Sequence, residues 1–134
     1  MAQRVLEPLA PDFTLWRLPA GSPWPAAALN APCAFLARTE AEVSLLLPSS
    51  VPGPTGARGE PHWRGWRVRG PLAFDLVGIL AELAQTLAQA GIPLLAVSTF
   101  DTDYIFVRAA QAQAAEAAWQ AAGWRVAGRG EVGS

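Results

Sequence analysis

The 134-residue chain is poor in the side chains that catalysis most often uses. It has one cysteine, Cys33, and one histidine, His62. A single cysteine excludes an internal disulfide and any multi-cysteine metal site. No Cys–His or Ser–His spacing marks an activated nucleophile, and the carboxylates are too scattered to suggest a metal cluster. The glycines do not form either of the phosphate-cradling patterns, G-x-G-x-x-G or G-x-x-x-x-G-K. Ten basic against 11 acidic residues give a net charge of −1, which leaves no basic excess for nucleic acid. No apolar run approaches the ~20 residues that span a bilayer. The start, "MAQRVLEPLAPDF", has neither the apolar core nor the cleavage site of a signal peptide. These absences predict a soluble cytoplasmic protein that is not an enzyme, with no metal, no cofactor, no nucleic-acid partner and no membrane partner.

About half of the residues are apolar, enough for an ordinary globular core. Cys33 sits in the apolar run "CAFLA", which predicts a buried, inert thiol. Six tryptophans read mainly as core and edge packing. "HWRGWRVR" interleaves basic and aromatic residues, but the balanced charge argues against a stacking platform for single strands.

Along the chain, residues 1–11 read as an arm. "DFTLWRL" (12–18) alternates as a strand does, and Pro19 ends it. "PAAAL" is long enough for one helical turn. "CAFLART" (33–39) and "EVSLLLP" (42–48) read as two strands with a tight connection. "SSVPGPTGARGEPH" (49–62) is too rich in Gly and Pro for a regular element and reads as a linker. "WRGWRVRG" (63–70) reads as a strand. In "DLVGILAELAQTLAQAG" (75–91), Leu76, Ile79, Leu80, Leu83, Leu87 and Ala90 recur at helical spacing. Asp75 is its candidate N-cap and Gly91 its candidate terminator. Strands follow at 92–100 and 103–109, a helix at 110–122 and a short strand at 124–127. The order β-α-β-β-α-β over 63–127 predicts an α+β ferredoxin-like layer, an antiparallel sheet with both helices on one face. The first half repeats it faintly: "FLART…EVSLLLP" matches "AVSTF…DYIFVRA", aligning Thr39 with Thr99 and Glu42 with Asp103 once one residue is skipped.

Two neighbouring features carry candidate chemistry. One is the helix start "PLAFDLVGIL", where free backbone N–H groups bind a carboxylate and Gly78 permits close approach. The other is "STFDTD", where Asp101 or Asp103 can accept an ammonium group and Ser98 or Thr99 can add a hydrogen bond. Together they form a receptor for a zwitterion. The same residues also make an ordinary turn, since Asp and Thr favour turns and Gly78 can serve only helix–sheet packing.

"VRGPLAFDLVGILAELAQTLAQAGIPLLAVSTFDTDYIFVR" resembles the second module of small bacterial ACT-domain proteins, which are similar to the ACT modules of aspartate kinases and of the arginine-sensing CASTOR proteins. The resemblance is specific over roughly 64 to 127, and extends more loosely over 12 to 50 through "TLWRLP" and "RTEAEVSLLLP". It implies two tandem ACT-like modules, 12–62 (reduced) and 63–127, with a free amino acid or similar small zwitterion at a module or subunit interface. The ligand-facing positions it implies are Phe74, Asp75, Leu76, Val77, Gly78 and Ile79, then Ser98, Thr99, Phe100, Asp101, Thr102 and Asp103. Ser44 and Leu45 would come from the first module. A regulatory sensor is the function implied, with a homo-oligomer, in particular a dimer, and a partner enzyme as possible associations. A ligand-free oligomerisation or protein-interaction module is the alternative.

Overall fold

The computed structural model describes residues 4–9, 12–71 and 77–128. The chain divides into two compact units, Ala10–Trp63 and a second made of Met1–Leu9 with Arg64–Ser134.

The first unit holds β2 (Phe13–Pro19), α1 (Ala26–Leu29), β3 (Phe35–Arg38), β4 (Glu42–Pro48) and the first part of β5 (Arg58–Val68). The strands lie in the order β3-β4-β2-β5, all antiparallel. That is the ferredoxin-like order with a loop where its second helix would stand. Side chains alternate across a strand, so Leu18, Val43, Leu45 and Leu47 share one face and form a core with Ala28 of α1. Trp16 packs against this core. The expectation that 49–62 holds no regular element is corrected, because β5 begins at Arg58. The glycine that suggested a loop has a packing reason. Gly59 lies opposite Trp16 in the ladder, and a Cβ there would overlap the indole ring. The extra β5 residue between the Phe13–Trp63 and Leu15–Glu60 pairs makes a bulge. There His62 takes a φ of 70°, a left-handed conformation uncommon outside glycine.

The second unit has the strand order β6 (Leu95–Ser98), β7 (Asp103–Arg108), β5, β1 (Val5–Pro8), β8 (Arg125–Val126). Its other elements are α2 (Ile79–Gln89), a 3-10 turn (Ala109–Gln111) and α3 (Ala112–Ala121). The βαββαβ order read from sequence is present, and the fold is ACT-like. The expected N-terminal arm is corrected. Val5–Pro8 is a strand, β1, inserted between β5 (antiparallel) and β8 (parallel). Four residues are too few to show a period, and what holds them is tertiary: Leu6 is fully buried in the core. Glu7, also buried, takes Arg67 at 2.8 Å and Arg69 at 3.0 Å on its two oxygens.

The core of this unit gathers Trp66 and Val68 of β5, Ile105 and Val107 of β7, Leu83 and Leu87 of α2, and Ala115 and Trp119 of α3. Both helices therefore cover one face of the sheet. Trp66 and Trp119 meet edge to face at 4.9 Å and 80°, a geometry worth about 0.5–1.5 kcal/mol beyond area burial. Buried indole N–H groups need partners, and all three here have one. Trp66 donates to Glu116 at 2.7 Å, Trp119 to the Leu83 carbonyl at 3.2 Å and Trp124 to Glu82 at 3.0 Å. Among the described residues no helix is long and apolar enough to cross a membrane.

Candidate functional site

The helix start and the hairpin turn singled out in the sequence both lie in the second unit. Helix α2 begins at Ile79, three residues later than expected, and its N-cap is Gly78 rather than Asp75. Phe74, Asp75 and Leu76 lie outside the described residues. Gly78 has a φ of 89°, which glycine alone adopts freely. A Cβ at Gly78 would meet nothing within 4 Å, so this glycine is needed for its conformation and not for close helix–sheet packing. As a glycine, the N-cap has no side chain to cap the helix. The cap residue itself offers no side-chain acceptor to the first backbone N–H groups of α2. Val77 is 90% exposed and Ile79 packs partly into the core.

The second feature is the β6–β7 hairpin, in which Ser98 pairs with Asp103. The Thr99 N–H donates to the Thr102 carbonyl at 2.8 Å, and the Thr99 hydroxyl reaches the same carbonyl at 3.1 Å. The Thr102 N–H returns to the Thr99 hydroxyl at 3.4 Å. Thr102 is buried, and its hydroxyl donates to the Val68 carbonyl at 2.6 Å. That bond ties the turn to the end of β5, from which the chain leaves for α2. The Ser98 hydroxyl donates to Asp103 Oδ1 at 2.6 Å, so Ser98 orients that carboxylate. Asp101 and Phe100 sit at the tip, both exposed. Thr99 and Thr102 thus build the turn, while Asp101 and Asp103 present charge from it.

Ser44 and Leu45 lie in the first unit, on β4. Leu45 is fully buried in its core. Ser44 is half-buried on the opposite face and donates to Glu42 at 2.6 Å. Cys33 is half-buried rather than buried, and desolvation pushes its thiol pKa up.

The ACT domain family model matches residues 58–120, beginning where β5 begins. Over that segment the chain is similar to the ACT domain. The matched ACT segment contains the α2 start and the hairpin. Solved structures resemble the chain over most of its length. A crystal structure of a protein from Agobacterium tumefaciens has a TM-score of 0.86 and 28% identity, covering 95% of this chain and 94% of that one. A Vibrio cholerae protein of unknown function, described as a possible transport protein, has a TM-score of 0.65 at 22% identity, covering 87% and 88%. The aspartate kinase of Clostridium acetobutylicum, described as an allosteric enzyme, has a TM-score of 0.59 at 10% identity, with 78% of this chain covering 31% of that one. Sequence reasoning missed the Thr102–Val68 bond, because nothing in the spacing shows which threonine of the turn points inward.

Proposed function

We propose that the chain is a non-catalytic regulatory protein built from two ACT-like modules, the first reduced, that binds a free amino acid. The observation that carries this reading is the N-terminus of α2, begun by the left-handed Gly78, within the matched ACT segment. The ligand carboxylate takes the backbone N–H groups at Gly78 and Ile79, and its ammonium takes Asp101 or Asp103. A helix N-terminus favours an anion, and a carboxylate on an ammonium makes a charge-assisted hydrogen bond. The allosteric description of the clostridial aspartate kinase supports a regulatory role. The ligand acts by its difference in affinity for two packings of the protein.

Calorimetric titration of the purified chain with each amino acid tests the reading. Hydrogen bonds to charged groups contribute about 1.5–3 kcal/mol, so losing the ammonium acceptor weakens binding about 10–100-fold. Asp101→Ala or Asp103→Ala shows that loss without unfolding; full affinity in both variants removes the assignment.

A second reading rests on the exposure of Val77 (90%) and Phe100 (79%). Large apolar side chains in such positions suit an interaction surface, for a second copy or a partner enzyme. Light scattering after size exclusion tests it, since a strict monomer without partners argues against it.

A further inference from the structure

We infer that the first unit carries its own site for a zwitterionic amino acid, on the sheet face opposite α1. It shares its ligand class with the reading above and uses different side chains. A depression of about 520 Å³ there is lined by Leu15, Arg17, Glu42, Ser44, Arg58 and Glu60, among others. Ligand sites of ~300–1,000 Å³ hold small molecules. Alternation along the strands explains the lining. The core takes Leu18, Val43 and Leu45, so Leu15 and Arg17 on β2, and Glu42 and Ser44 on β4, face the other way.

The register puts like charges side by side. Arg17 pairs with Ser44 on one side and with Arg58 on the other, so the two arginines stand directly opposite on adjacent strands. Like charges in that arrangement destabilise a sheet. Among the described residues neither Arg17 nor Arg58 forms an ion pair or a side-chain hydrogen bond. A carboxylate set between them relieves the repulsion and takes N–H pairs from planar guanidinium groups, which suit it bidentately.

The acidic residues decide the class of ligand. Leu15 pairs with Glu60, and Ser44 holds one oxygen of Glu42. The two glutamates flank the arginines, so the four side chains carry no net charge. A multivalent anion would meet both carboxylates. An amino acid matches them, with its carboxylate on Arg17 and Arg58, its ammonium on Glu60 or Glu42, and its carbon chain over Leu15.

Calorimetry of the full chain against the twenty amino acids, with inorganic phosphate as the competing probe, tests this. We expect at least one amino acid to bind the wild type and the Asp101→Ala/Asp103→Ala double variant alike. Binding falls at least tenfold in Arg17→Gln/Arg58→Gln. That pattern supports this site and argues against the hairpin; two binding events, each removed by its own double variant, support both. Unchanged binding in an arginine variant that melts like the wild type overturns the inference and leaves the hairpin reading standing. No amino-acid binding to the wild type, or phosphate binding in its place, also overturns it. Arg58→Glu supplies an independent readout, raising the ligand-free melting midpoint by about 1–4 °C while abolishing binding. A lowered midpoint contradicts the like-charge argument.

Discussion

The β3–β4 and β6–β7 hairpins close in the same way and differ in what their turns are tied to. In the first, the Thr39 N–H donates to the Glu42 carbonyl at 3.0 Å, and the Glu42 N–H returns to the Thr39 hydroxyl at 3.2 Å. In the second, Thr99 and Thr102 make the same exchange at 2.8 and 3.4 Å. In each, a serine hydroxyl also holds a carboxylate at 2.6 Å, Ser44 on Glu42 and Ser98 on Asp103. The repeat seen in the sequence is therefore structural, with one correction. Position 42 corresponds to Thr102, with no residue skipped, and the one-residue offset was an artefact of matching acidic side chains. What differs is the residue that closes the turn. Thr102 buries its hydroxyl on Val68, whereas Glu42 keeps its carboxylate on Ser44. One turn is pinned to the strand that leads to a helix start; the other holds its carboxylate on a serine of its own strand.

The largest contrast to test is in what each unit packs beneath its hairpin. Trp119→Ala, in a core roofed by two helices, costs about 3–5 kcal/mol. Leu45→Ala, in the core that has only the four-residue α1, costs about 2–5 kcal/mol. Urea denaturation followed by tryptophan fluorescence measures both, and a negligible loss at either position would show that the core is misassigned.

The next effect belongs to the pinned turn. Thr102→Val keeps the shape and strands the Val68 carbonyl, so it costs about 1–3 kcal/mol. Thr39→Val and Thr99→Val each lose a turn hydroxyl and cost about 0.5–1.5 kcal/mol. Equal losses at 39 and 99, with a larger one at 102, uphold the comparison. A loss at Thr102 no larger than at Thr39 breaks it.

At the β5 bulge, His62→Gly removes left-handed strain of about 1–2 kcal/mol and adds about 0.5–1 kcal/mol of chain entropy in the unfolded state. Melting should show neutral to slightly higher stability. His62→Val should lower it, because a branched side chain at that φ is an outlier. The smallest effect is chemical. Burial raises the Cys33 pKa, so the thiolate fraction at pH 8 is below that of a free thiol and alkylation is slower. Rates equal to those of free cysteine would contradict this.

The helices were legible because Leu83 and Leu87 on α2, and Ala115 and Trp119 on α3, repeat at helical spacing over ten residues or more. Strands with clear alternation, such as Phe13–Pro19, were legible too. The start of α2 was placed too early because the apolar period runs on through Leu76, and periodicity does not register the left-handed turn at Gly78. The start of β5 was hidden because Gly59 reads as a breaker, when its missing side chain makes room for Trp16. The chemistry of the hairpin was visible as residue types. The division of labour among them was not, since it depends on which threonine faces Val68. Arg17 and Arg58 were invisible as a pair, because strand register alone brings them together.

The measurement that tests the account most directly is the melting midpoint of the purified chain against each of the twenty amino acids. A ligand at a hundred times its dissociation constant adds about 2.7 kcal/mol to the folded state, which for a domain of this size moves the midpoint by about 5–15 °C. The account predicts such a shift for at least one amino acid. A flat response across all twenty at millimolar concentration would contradict it.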